Sequence, residues 1–465
     1  MKRVLLFLSI AATLSPAPVA ANGRRPTMVD IHYHPTDDDT MIGAATFGML
    51  ITRDGGATWQ WVCEEAACPG MDGFNGCDTF DPVYAFNSKG DIFNTTIFGM
   101  NVSRDGGCTF TPVTGALDGR FIGDLEVDAD DNVWVVSSDG AMPNDVFRST
   151  DDGQSFQQRN LNITLGWFEN VRVAPSDTDR VYVSGWVPPQ PDGRGGFTEA
   201  ETLLYRSDDA GAMWSKLTPA GIDPGEKLYV DVVSPTNPDL LFARVPLFPD
   251  SMQDTIFRSA DGGATWTNEL SLSIETTYPT DPPGQARIAA RSDGTTYLAG
   301  SALGGFHIST DSGQTWNATP RPPMTWCVRE RRDGVVYACS ENWDPDMAFD
   351  ETVRAGLVNG TNATDWSHVV RFIEIAGPLE CPDETIQAQV CEARWCDMAN
   401  MFGITPPAYC NDAQLPDAGP SDGDAGTDPP PDDDCENCGC SVGFASIVLV
   451  LPPFSRRRRR RSLIP

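Results

Sequence analysis

The sequence is short of positive charge. Lysine and arginine number 33 against 65 aspartates and glutamates, for a formal net charge of −32 over 465 residues. A surface of that sign repels a phosphate backbone and argues against nucleic acid as a partner. It would tolerate calcium, but no motif demands a cofactor, and a solvated acidic surface on an exported protein is the simpler reading. Histidine is scarce, at four residues (32, 34, 307 and 368), so imidazole ligands and bases are few. The apolar stretches near 4–14 and 441–454 are too short to cross a bilayer as helices.

What the sequence does have is a repeat. Six eight-residue segments begin at Thr52, Ser103, Ser149, Ser207, Ser259 and Ser309. Each carries aspartate third (Asp54, Asp105, Asp151, Asp209, Asp261, Asp311) and glycine fifth. Each ends on an aromatic ring (Trp59, Phe110, Phe156, Trp214, Trp266, Trp316). A strand enters at the Ser/Thr, and the aspartate turns the chain by accepting backbone N–H groups ahead of it. The glycine takes a conformation closed to other residues. The ring opens the return strand and is buried between neighbouring sheets. These residues are therefore structural.

The pattern S/T-x-D-x-G-x-T-W/F resembles the Asp-box of sialidase-like and sortilin-like (BNR) β-propellers. A period near 50 residues means one propeller blade per repeat. One further period past Ser309 reaches Asn359, and Trp366 falls where the ring belongs, so 359–366 reads as a degenerate seventh copy. Short β-rich runs precede every copy, at 29–35, 83–87, 121–128, 168–175, 228–235, 286–293 and 325–333. Second runs such as 180–187, 240–245 and 335–340 follow. The expected fold is all-β: a seven-bladed propeller over 27–373 with four antiparallel strands per blade, so that no terminal strand exchange is needed, while the sequence does not show how the ring closes.

Both ends of the chain have their own character. Lys2, Arg3, the apolar 4–14 stretch and the small residues at 18–22 read as an export signal over 1–22. After the propeller, 374–412 is expected to form a small disulfide-tied cap. Its helix over 385–401 counts Ile386, Val390, Ala393 and Met401 among its apolar positions. The segment 413–434 is an acidic Pro/Gly/Asp linker that cannot bury a core. The block 435–465 combines Cys435, Cys438 and Cys440, an apolar stretch and an arginine cluster at 456–461. In that order the three parts look like a myxobacterial-type surface-sorting tail. The resemblance implies processing at one of those cysteines, a bacterial cell-surface or outer-membrane location or release after processing, and membrane association through the tail alone. A zinc site at the three cysteines is the competing reading, without a fourth ligand nearby.

Thirteen cysteines beside an export signal imply an oxidising compartment. Cys327 and Cys339 flank an Asp-Gly turn symmetrically and should pair across the hairpin. Cys68 and Cys77 would close a Gly-rich insertion, and Cys63 with Cys108 would staple adjacent blades. Cys381, Cys391, Cys396 and Cys410 would make two bridges inside the cap.

Sites of chemistry are harder to read. Asp30, His32 and His34 alternate on one strand and share a face, a weak metal-site candidate, because His34 aligns with turn residues elsewhere. The F/Y-R-I-P arginine motif of sialidases is absent. Trp167, Glu169, Trp186, Tyr229, Asp231, Trp326 and Trp343 are candidate ligand contacts, aromatic platforms beside carboxylates; packing between blades is the commoner use of such rings. The resemblance is specific for architecture and not for activity. The reading is a monomeric, surface-anchored, non-catalytic propeller that binds an extracellular glycan, protein or matrix component. A sialidase- or xyloglucanase-like glycoside hydrolase working through two carboxylates, and a structural surface-layer protein, are the alternatives.

Overall fold

The computed structural model describes residues 26–70, 81–140, 142–276, 284–319, 324–340 and 355–412, all within one compact unit, Met1–Ala413. The segments expected to be an export signal, an acidic linker and a sorting tail with Cys435, Cys438 and Cys440, together with Trp343 and Cys77, lie outside the described residues.

Seven sheets each contain four consecutive strands in sequence order. The first strands are Met28–Tyr33, Tyr84–Phe86, Ile122–Val127, Trp167–Ala174, Tyr229–Val233, Arg287–Ala290 and Cys327–Glu330. Each touches the first strand of the next sheet, and the last touches the first, so together they line the axis of a closed seven-bladed β-propeller. Second strands are almost wholly buried, as in Val133–Ser137 and Tyr297–Ser301. This is why they read as continuous β-branched and aromatic runs rather than as alternations.

The repeat forms the turn between third and fourth strands. Its first hydroxyl donates to the aspartate and accepts the glycine N–H, as in Ser309 Oγ to Asp311 Oδ1 (2.8 Å) and Gly313 N to Ser309 Oγ (2.9 Å). The aspartate then accepts from the seventh residue twice, from Thr315 N at 2.9 Å and Thr315 Oγ1 at 2.6 Å. The fourth residue of every copy is left-handed, with φ between 52° and 73°, although it is Asp152, Ala210 or Ser312 in three of them. That turn aims its carbonyl at the neighbouring blade. Arg53 donates to Gly106 O, Arg104 to Asp152 O, Arg159 to Ala210 O and Arg258 to Ser312 O. The fifth-position glycine is needed for space as well as for φ: a Cβ on Gly313 would lie 2.2 Å from the Phe242 ring.

The degenerate seventh copy keeps the hairpin between third and fourth strands without the aspartate. Ala363 replaces the glycine at φ 54°, and Trp366 packs edge-on against Phe306 of the preceding blade at 5.3 Å.

Closure uses no shared strand. Arg329 of blade 7 grips Asp30 of blade 1 with two 2.7 Å bonds, and Arg332 pairs with Asp38 at 2.7 Å. The chain then leaves blade 7 and runs parallel to the outer strand of blade 1, Gln60–Val62. Ala376 N reaches Trp59 O, Gly377 O accepts Trp61 N, and Leu379 N reaches Trp61 O, at 2.8–2.9 Å. An edge strand offers such free groups.

This strap overturns two expected pairings. Cys63 bonds Cys391, not Cys108, and Cys108 bonds Cys381. Only Cys396–Cys410 lies within the cap. The reason is the added edge pairing, which carries Cys381 to the second repeat and Cys391 to the end of blade 1. Cys327 bonds Cys339 across their hairpin. Cys68 is also disulfide-bonded, and its expected partner lies outside the described residues. The cap is helical over Glu392–Phe402, with a helical turn before it at Gln387–Cys391. Gln387, Cys391, Trp395 and Ala399 face the propeller, while Ile386 is exposed. Gln387 Nε2 donates to Trp61 O at 2.8 Å, and Trp395 lies 5.7 Å from the Trp61 ring.

Candidate functional site

In a four-stranded meander the loops joining second to third strands, and those joining blade to blade, emerge on one face. The repeats occupy the other. The first face is the more apolar. Phe98, Phe121, Leu165, Phe197, Phe248 and Leu303 are all exposed on it. Blade 4 stands tallest there, because its second strand, Asp177–Val187, has 11 residues and leads into a hairpin tipped by Phe197.

Five of the seven expected ligand contacts meet where blades 4 and 5 border this end of the channel. Trp167 and Trp186 lie 6.2 Å apart, and Trp186 Nε1 donates to Gly225 O at 2.8 Å. Glu169 binds Lys227 Nζ at 2.7 Å. The Tyr229 ring lies between two cations, Lys227 at 5.1 Å and Arg244 at 4.1 Å. Asp231 faces Arg244 at 3.4 Å. Trp326 joins from blade 7 through its carbonyl, which accepts from Arg287 Nε at 2.9 Å.

The channel wall itself is a belt of opposite charges, of which sequence reasoning named only Asp30 and Asp231. Arg172 binds Asp124 and approaches Glu126 at 3.5 Å. Arg244 lies between Asp231 and Asp254, and Arg329 holds Asp30. Arg329 keeps 46% of its side chain open to solvent, which makes the channel wet rather than dry core. A usable signal existed: Arg172, Arg287 and Arg329 sit on first strands, where the inward positions line the axis.

Environment sorts these groups. Burial pushes Glu126 up to about 7, with Arg172 opposing it only in part. Burial likewise raises Asp254 against the pull of Arg244. Asp30 resists the same burial because Arg329, with His32 behind it, holds its carboxylate well below the ordinary range. Burial brings His32 down to about 4, opposed by Asp30, so its imidazole is neutral at physiological pH. Arg287 is lowered by burial and by Arg244.

The Asp30, His32 and His34 trio does not converge. Both Asp30 oxygens are taken by Arg329. His34 Nδ1 accepts Thr36 N and Asp37 N at 3.2 and 3.1 Å, capping a turn. Among the described residues no group of His, Cys, Asp and Glu is arranged to hold a metal ion.

The fold and site thus define a seven-bladed propeller with a charged axial channel and aromatic rings at one mouth. No family model matches the chain. It is 23% identical over 281 residues to a probable oligoxyloglucan-reducing end-specific xyloglucanase of Neosartorya fischeri, a match covering 57% of this chain and 30% of that protein. The chain therefore spans under a third of that relative. It is 27% identical over 295 residues to the photosystem II assembly lipoprotein Ycf48 of a Synechococcus species, covering 61% of this chain and 75% of the relative. Among solved structures, Ycf48 of Cyanidioschyzon merolae aligns with a TM-score of 0.44 at 12% identity, over 67% of this chain and 92% of that one.

Proposed function

We propose that the chain is an exported, surface-anchored, non-catalytic propeller that binds an extracellular glycan or protein on its aromatic face. The observation carrying this reading is the pairing of the acids at that mouth. Glu169, Asp231, Asp124 and Asp30 each face a lysine or arginine. Such pairing holds a carboxylate as a fixed acceptor, whereas a hydrolase needs one acid free to give up its proton and a second free to act as base or nucleophile. The relatives include both glycan-acting and assembly proteins, so their names do not choose between ligands.

One feature favours a glycoside hydrolase as second reading. Burial raises Glu126 to about 7, a carboxylic acid able to hold a proton near neutral pH, and a second carboxylate, Asp124, lies two residues away on the same strand. Incubating the protein with a panel of polysaccharides, sialosides and peptides, and following retention and product masses, tests both. Retention without new products is the expected outcome. Cleavage abolished by Glu126→Gln would replace the binding reading with hydrolysis.

A further inference from the structure

Arg287 is unlike the other arginines of the channel. Arg172, Arg244 and Arg329 each have a carboxylate within 4 Å. Arg287 opens its strand at the aromatic mouth, and the one hydrogen bond its side chain makes among the described residues is Nε to Trp326 O. Its two terminal nitrogens meet no partner among the described residues, and the residue is partly exposed. It is flanked by Arg244 and Arg329, which repel it, while Asp30 and Asp231 attract it from a distance. A guanidinium enclosed by protein without an anion is costly, and it presents an unused planar fork that fits a carboxylate.

Resting on the binding function proposed above, we propose that Arg287 anchors a single carboxylate of an acidic sugar, a uronate within an otherwise neutral glycan. Three observations select this class. The neighbouring arginines are committed to their own aspartates, so one fork is open rather than a basic cluster, and the net charge of −32 repels a polyanion while tolerating one negative group. Asp231, which attracts it from a distance, remains 18% exposed and offers an acceptor for the hydroxyls that a sugar brings. Trp326, and the Trp167–Trp186 pair on blade 4, offer flat apolar surface for ring faces.

The test is calorimetric titration of the full chain with a glucuronate-bearing xylo-oligosaccharide, and with the same oligosaccharide after reduction of its carboxyl to an alcohol. The acid should bind about tenfold tighter than its reduced form, with an advantage that shrinks in salt. Arg287→Ala should erase that preference and Arg287→Lys keep part of it, with unchanged melting curves showing that the variants fold. Equal binding of the two forms, no binding of the acid, or a preference that survives Arg287→Ala overturns the inference. Equal binding leaves the binding reading standing, whereas no retention of anything in the wider panel removes that reading too. Tighter, Arg287-dependent binding of a peptide with a free C-terminus than of the uronate would reassign the fork to a protein partner.

Discussion

At the scale of single residues, the repeat shows how much strain one turn tolerates for a contact. Ser312 is held at φ 60°, where a Cβ meets the following carbonyl and costs roughly 1–2 kcal/mol. Its carbonyl is what Arg258 binds, at 2.6 Å, and the glycines at the same position in other copies give the identical turn. Ser312→Gly removes the strain and keeps the carbonyl. It also makes the unfolded chain looser, by about 0.4–1 kcal/mol. The balance predicts a variant more stable by up to about 1 kcal/mol, read from urea midpoints. The third-position aspartates make a second residue-scale prediction. Hydrogen bonds from Thr315 and Ser309 bring Asp311 down to about 2, from an ordinary 3.8. A depressed carboxylate contributes its stability above the unfolded value and loses it as pH falls toward the folded one. Melting temperature should therefore decline from about pH 4 to pH 2, and less steeply in Asp311→Asn.

At the scale of elements, the seams between blades are fastened by arginines reaching from one blade to the repeat of the next. Arg258→Ala strips a charged donor from the Ser312 carbonyl, a loss of about 1.5–3 kcal/mol. Amide exchange should rise along Gly305–Ser309 while blades 1–3 keep their protection; uniform change would mean the latch is not local. The strands and turns of this design are legible in the sequence because each needs only its own residues. Asp54 to Thr58 closes one turn, and the alternation of 122–127 shows an inward face. The latches are not legible, because Arg159 and Arg258 gain meaning only from a carbonyl some fifty residues on. Arg287 is hidden for the same reason: its neighbours come from two other blades. The inward face of the cap helix is not legible either, because it is anchored by the polar Gln387 hydrogen-bonding Trp61, while the apolar Ile386 is exposed.

At the scale of the whole molecule, a ring without strand exchange must be held shut by other means, and the C-terminal strap is predicted to act as its lock beside the packing of blade 7 on blade 1. Ion pairs between blades 7 and 1 are partly exposed, with Arg329 and Arg332 about half open, so they contribute little by themselves. The disulfides act over far greater chain lengths. Cys63–Cys391 spans 328 residues and Cys108–Cys381 spans 273, against 14 for Cys396–Cys410. Chain entropy makes a long closure stabilise more than a short one, about 5 against about 3 kcal/mol. Size alone does not identify the strap as the lock; location does. With Cys63 and Cys108 both replaced by serine, the strap keeps its edge pairing and the packing of Gln387 and Trp395 on Trp61 but loses both covalent ties. Exchange should then quicken in Met28–Tyr33 and Cys327–Glu330, the two strands that meet at closure, before the middle blades respond. Replacing Cys396 and Cys410 should loosen the cap's last turns and leave those two strands protected. Equal effects of the two replacements on the closing strands would show that the ring is held by blade packing, and that the strap merely lies upon it.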